Sequence, residues 1–222
     1  PIDFALVLDE SGSMKDRPKP DGSIEGVNGS KAFAHELVSM FLPLGINDAR
    51  FSVVSFNANA TRRVGWSYDV SEINDGIDDM KAGGETSISD GFEAVRHLFD
   101  EIDPHGPREN ATKIVLFLSD GKQTVDAASG KTTLETVIDS AMRVKNQNAT
   151  VFAWGFGDAQ METLRGVASN SAIPIRAILG QDVAELTGYL DRLKAAICGN
   201  SQPIMTGAPC PPPSLPPNPP SL

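Results

Sequence analysis

The chain has 222 residues, 40% of them hydrophobic, and a net charge of -10 from 29 acidic against 19 basic side chains. That length accommodates one domain with a substantial buried core, and the composition is that of an ordinary soluble globule. With no basic stripe to neutralise phosphates, the acidic balance argues against nucleic acid and anionic membranes and suits a domain that recruits cations.

No apolar run approaches the roughly 20 residues needed to span a bilayer. Pro1 stands almost inside the first strand-like segment, so the chain reads as a fragment of a longer protein. The missing signal peptide then says nothing about compartment.

In chain order, Asp3–Leu8 (DFALVL) reads as a buried strand. Ser30–Leu42 (SKAFAHELVSMFL) has helical spacing and stops at Pro43 and Gly45. Arg50–Phe56 (RFSVVSF) is a second buried strand, and Thr61–Trp66 follows after an Asn-rich turn as an antiparallel edge hairpin. Ser71–Met80 is a weaker helix; Ser89–Ile102 (SDGFEAVRHLFDEI) opens on a Ser N-cap and ends before Pro104. Lys113–Ser119 (KIVLFLS) and Thr150–Trp154 (TVFAW) are buried strands, and Ile175–Leu179 adds a short one. Helices are expected at Leu134–Gln147, Met161–Ser169 and Val183–Cys198. Strands apolar on both faces belong to a parallel sheet covered on both sides. Their alternation with helices predicts a doubly wound α/β domain with a mostly parallel central sheet.

From Ser201 the texture changes. The run CPPPSLPPNPPSL lacks the amide donors for helix or sheet. Residues 1–200 are therefore read as the domain and 201–222 as an extended polyproline II linker or stalk, against the alternative of a docking peptide for a proline-reading domain. Cys198 and Cys210 stand at this junction. A disulfide between them would pin the tail to the last helix, worth about 3 kcal/mol on the chain-entropy model; two free thiols are the alternative. Two cysteines and scattered His35, His97 and His105 do not make a zinc site. Sequons at Asn28, Asn59, Asn110 and Asn148 fall at loops or element edges and favour a glycosylated, secretory-pathway protein.

Chemistry concentrates after the first strand, in Asp9-Glu10-Ser11-Gly12-Ser13. In an extended chain residues i, i+2 and i+4 point one way, so Asp9, Ser11 and Ser13 can present oxygens to one point while Glu10 faces elsewhere. Gly12 permits a tight turn beneath them. Small hard cations such as Mg²⁺ take oxygen ligands of this kind. Gly83-Gly84-Glu85-Thr86-Ser87 is a glycine-hinged loop that can bring in the Thr86 hydroxyl. Ser119-Asp120-Gly121 ends the third buried parallel strand. Open α/β sheets bind ligands at the carboxyl edge where strand order reverses, so Asp9 and Asp120 flank one crevice if their strands are neighbours there.

Taken together, D-x-S-x-S, a G-G-x-T loop and S-D-G resemble the metal ion-dependent adhesion site of von Willebrand factor A domains, including integrin inserted domains. KIVLFLSDGKQT and VFAWGFGDAQMETLRGVAS also look like that family, and the resemblance runs from about Ile2 to Ala196. It implies a Rossmann-like fold and a non-enzymatic, extracellular or cell-surface adhesion module. It also implies a divalent cation, Mg²⁺ with Mn²⁺ or Ca²⁺ as alternatives. Ser11 and Ser13 would coordinate the ion directly and Thr86 directly or through water. Asp9 and Asp120 would act largely through waters and by orienting the hydroxyls. The open position would take an Asp or Glu carboxylate of a protein ligand. The Met14–Gly29 connection is longer than in many members and carries Lys15, Arg17 and Lys19; it either rims the metal face or is a solvated loop.

Other features read as structural. Gly155-Phe156-Gly157 lacks the third glycine of a dinucleotide loop, and there is no Walker A lysine or nucleophile elbow. Trp66 and Trp154 read as packing residues. Asp78-Asp79 and the Asp100-Glu101-Asp103 group read as solvated acidic faces. The rival functions are an intracellular assembly module and a Mg²⁺-dependent phosphohydrolase, the latter short of a base or nucleophile beyond Asp9.

Overall fold

Every residue of the first strand, β1 (Ile2–Asp9), is buried, as is every residue of β2 (Ala49–Phe56). Only a sheet covered on both faces does that. The computed structural model describes residues 1–16, 24–25, 29–102, 106–125 and 127–199. Among these, β3 (Ala60–Ser67), β4 (Thr112–Ser119), β5 (Ala149–Gly155) and β6 (Ala177–Leu179) complete one sheet in the order β3-β2-β1-β4-β5-β6. Only the β2–β3 pair is antiparallel.

Alternation along the strands divides the core in two. Phe4, Leu6 and Leu8 of β1 join Phe51, Leu116 and Trp154 on one face, beneath α2 (Ser30–Met40), α3 (Val70–Asp78), α7 (Val183–Thr187) and α8 (Leu190–Gly199). Ala5 and Val7 join Val54, Phe56, Phe117 and Val151 on the other, beneath α4 (Ile88–Asp100), α5 (Thr133–Lys145) and α6 (Met161–Val167). A single turn, α1 (Ser13–Asp16), follows β1. The doubly wound reading holds.

Edge strand β3 carries Arg62 and Arg63, which pair with Glu101 and Glu10 rather than offering a bare ladder edge. Where the β2–β3 register slips near Val53, the Ser52 hydroxyl donates to Val64 O at 2.8 Å. Trp154 is fully buried with its Nε1 donating to Ile175 O at 2.9 Å, and Trp66 packs on Phe99, so both tryptophans serve packing. His35 bridges α2 to Asn74 and Asp78 of α3. One acidic group is more engaged than the sequence suggests: Asp100 takes bonds from Arg96 and Gln147, and Glu101 pairs with Arg62.

Three expectations need correction. The Ile175–Leu179 run begins as a 3-10 turn, Pro174–Arg176, and only Ala177–Leu179 is strand; Pro174 sets the turn and Trp154 holds its Ile175 carbonyl. The helix expected over Val183–Cys198 is two, parted at Gly188–Tyr189, where Tyr189 N takes the i-3 carbonyl of Leu186. Ser89 is not the N-cap of α4. Ser87 is, without a side-chain cap bond, and Ser89 N donates instead to Gln123 Oε1 from a distant loop. The tail 201–222, with Cys210, lies outside the described residues, as do Asn28, Arg17, Lys19, Asp103 and His105; Cys198 is in α8. No helix among the described residues is long and apolar enough to cross a membrane.

Candidate metal centre

Strands β1 and β4 lie side by side in parallel, Leu8 against Leu118. Asp9 and Ser119-Asp120 therefore leave the carboxyl edge together. It is also the switch point: the chain crosses from β1 to β2 on one side and reaches β4 on the other.

Asp9 and Asp120 are almost wholly buried, at 1% and 0% exposure. Asp9 Oδ1 accepts from Ser11 N at 2.8 Å, which turns the loop back on itself, and Asp9 Oδ2 accepts from Ser119 Oγ at 2.5 Å. The Ser11 and Ser13 hydroxyls are hydrogen-bonded at 3.1 Å, and Ser13 Oγ donates to Asp120 Oδ1 at 2.8 Å. Two carboxylates and three hydroxyls thus form one connected row, in which Ser13, between Ser11 and Asp120, is exposed. Burial pushes the Asp9 carboxyl up to about 6 and the nearby Asp120 adds to the rise, against hydrogen bonds from Ser11 and Ser119.

Thr86 reaches this edge on the glycine-hinged loop. Gly12 N donates to Gly84 O at 2.9 Å and Gly83 N to Glu10 O at 2.8 Å, fastening that loop to the first one. On its other side Thr86 N donates to Thr124 Oγ1 at 2.8 Å, and Thr124 N returns to Thr86 O at 2.9 Å. Thr86 is buried, and among the described residues no hydrogen bond joins its hydroxyl to Asp9, Ser11, Ser13 or Asp120. The loops converge, while Thr86 stands apart from the hydrogen-bonded row. Gly84 has φ of +78°, a conformation that favours glycine, and a Cβ at Gly12 would lie 3.1 Å from Gly84 O, a contact that fits only if the facing loop gives by a few tenths of an ångström. Gly84→Val is expected to cost about 1–2 kcal/mol of stability in urea unfolding, because a β-branched residue is strained at positive φ.

Glu10 faces away from the row and is buried against Arg63, although the chain leaves the extended conformation after Asp9. Ser119, Gln123 and Thr124 also contribute to the architecture, although the sequence gives them no separate role. The signal for Ser119 lies in its place before Asp120, within reach of the neighbouring strand's last residue. Among the described residues no group of three or more His, Cys, Asp and Glu could hold a metal. A cation at this edge would rest on hydroxyls backed by carboxylates.

The family model described as von Willebrand factor type A domain matches residues 3–192. Matrilin-4 of Mus musculus is 26% identical over 203 residues, which cover 89% of this chain and 29% of matrilin-4. The chain therefore spans under a third of that relative. Proximal thread matrix protein 1 from the mussel byssus superposes with a TM-score of 0.71 at 24% identity, covering 86% of this chain and 46% of that one. A further structure of that protein has a zinc-occupied metal ion-dependent adhesion site motif, with a TM-score of 0.68, 23% identity and coverage of 86% and 44%. The vWF domain of the type V pili tip protein Mfa5 from Porphyromonas gingivalis gives 0.74 at 13% identity, covering 93% and 98%. At these identities the structural likeness is one of fold.

Proposed function

The chain belongs to the von Willebrand factor type A domain family, and from that premise we propose that it is a binding module that captures an acidic side chain of a partner protein through one divalent cation. The observation that carries the reading is the row of oxygens from Asp9, Ser11, Ser13 and Asp120 at the switch point of the sheet.

The all-oxygen character of that row suits a hard cation such as Mg²⁺, or Mn²⁺ in its place. Oxygens at neighbouring corners of an octahedron with arms of about 2.0–2.1 Å lie about 2.9 Å apart. The Ser11 and Ser13 hydroxyls, the two expected direct ligands, stand 3.1 Å apart, within reach of two such corners. Ser11, Ser13 and Thr86 are the expected hydroxyl ligands, with Asp9 and Asp120 behind them. The bound cation supplies an electrophile whose remaining position takes a carboxylate, an attraction far above that of an exposed ion pair in water.

Binding rather than catalysis fits Asp9, the nucleophile that a phosphohydrolase reading would call on. It is buried, and both of its oxygens accept hydrogen bonds within the protein. An extracellular, matrix-associated setting draws support from the relatives, named as a matrilin and a byssal thread matrix protein. The Asn59, Asn110 and Asn148 side chains are exposed at turns, open to glycans. In this reading residues 201–222 are a linker, tied back by a Cys198–Cys210 disulfide.

A screen of immobilised extracellular matrix and cell-surface proteins, with Mg²⁺ and with EDTA, tests the proposal. Retention should require Mg²⁺ and vanish in the folded Ser11→Ala/Ser13→Ala variant. Retention that survives EDTA, or that the double variant preserves, would sink it.

A further inference from the structure

Glu10 sits between two members of the oxygen row yet takes no part in it. Its side chain is 2% exposed. An Arg63 amino group donates to both carboxylate oxygens at 2.7 and 2.9 Å, Ser55 Oγ donates to Oε1 at 3.0 Å, and Lys81 N donates to Oε2 at 2.9 Å. The Glu10 carbonyl accepts from Gly83 N at 2.8 Å, and two residues on, Gly12 N donates to Gly84 O at 2.9 Å. Residues 81–84, which lead directly into Thr86, are thus stitched to residues 10–12, largely through Glu10. Arg63 is itself braced, its Nε donating to Ser55 Oγ at 2.8 Å.

We propose that Glu10, charge-paired with Arg63, is a positioning residue that sets the Thr86 hydroxyl against the Ser11–Ser13 pair, so that the β2–β3 hairpin helps determine cation affinity. The inference rests on the cation reading above. The chemistry calls for a carboxylate: two oxygens must accept from a guanidinium, a hydroxyl and a backbone amide at once, and an amide side chain would turn a donor toward one of them. Pairing with Arg63 also cancels a third negative charge beside Asp9 and Asp120, which an incoming acid would otherwise meet.

The test is a double-mutant cycle on the full chain, with Mn²⁺ affinity read by titration calorimetry and folding by thermal melt. Glu10→Ala and Thr86→Ala should each weaken Mn²⁺ binding by about tenfold. The Glu10→Ala/Thr86→Ala variant should lose no more than the larger single loss, because Glu10 acts through Thr86. Arg63→Met should resemble Glu10→Ala, and Arg63→Lys should recover most of the affinity. A purely structural role would lower the melting temperature but leave the affinity losses absent or multiplicative, and either outcome overturns the proposal. Should Glu10→Ala fail to fold, the Arg63 variants, altered at a partly exposed position, decide through the same cycle with Thr86→Ala. Wild-type protein that ignores Mn²⁺ overturns the cation reading and this inference together; normal wild-type and weakened Thr86→Ala binding beside an unaffected Glu10→Ala overturns the inference alone.

Discussion

Asp120→Ala should yield a folded protein whose Mg²⁺ affinity has fallen by about a hundredfold or more. Asp120 follows the last residue of β4 and accepts the Ser13 hydroxyl at 2.8 Å, so its loss removes both a negative charge and the group that orients that hydroxyl. Carboxylates behind metal ligands commonly control affinity by one to two orders of magnitude, and here the residue is also half of the local negative charge. The fold should survive, because Asp120 holds its loop through the main chain: Asp158 N donates to Asp120 O at 2.8 Å, and the variant keeps that carbonyl. Removing it also relieves the repulsion that helps raise the Asp9 carboxyl. Calorimetric titration beside a thermal melt checks both halves. Unfolding, or Mg²⁺ binding within a few-fold of wild type, would count against the assignment.

The second large effect lies at the opposite end of the sheet. Asp3→Ala should cost about 3–5 kcal/mol of unfolding free energy. Asp3 is fully buried and pairs in register with Arg50 of β2. Arg50 Nε donates to Asp3 Oδ1 at 2.8 Å and a second Arg50 nitrogen to Oδ2 at 3.1 Å, while Arg108 adds Nε to Oδ1 at 2.8 Å and its own amide to Oδ2 at 2.7 Å. The Arg50 side chain is 5% exposed, so without Asp3 its charge stays buried and uncompensated. Arg108 also caps the Ile2, Gly45, Ile46 and Asp48 carbonyls, so one aspartate anchors a whole end of the sheet. Urea unfolding measures the loss. Cation affinity per folded molecule should not change, since the network and the oxygen row sit at opposite strand ends. A loss below about 1 kcal/mol would mean that Arg50 finds other partners or water.

The central strands were legible because β1, β2, β4 and β5 are apolar on both faces, a pattern that only a covered parallel sheet explains. Their observed limits exceed the expected ones by a residue or so. Segments failed where a tertiary partner overrides local pattern. Ile175 is apolar and β-branched, yet the buried Trp154 indole takes its carbonyl and Pro174 turns the chain. The spacing of apolar residues runs on past Gly188, so the one local sign of the break between α7 and α8 is that glycine, which caps α7. At the site, the meeting of Asp9 and Asp120 follows from the carboxyl-edge rule. Ser11 and Ser13 join them through the turn in which Ser11 N donates to Asp9 Oδ1, not through extended alternation, because the strand ends at Asp9 and a helical turn opens at Ser13. The brace was not legible. Glu10 and Arg63 are 53 residues apart and meet only because β3 returns beside β2. Gln123 and Thr124 hold the α4 end of the Thr86 loop through contacts that no spacing rule predicts.

Anomalous diffraction from crystals grown with Mn²⁺ tests the central claim most directly. One strong peak should lie among the Ser11, Ser13 and Thr86 hydroxyls, with Asp9 and Asp120 behind it. An empty carboxyl edge, or manganese bound only elsewhere on the acidic surface, would contradict the account.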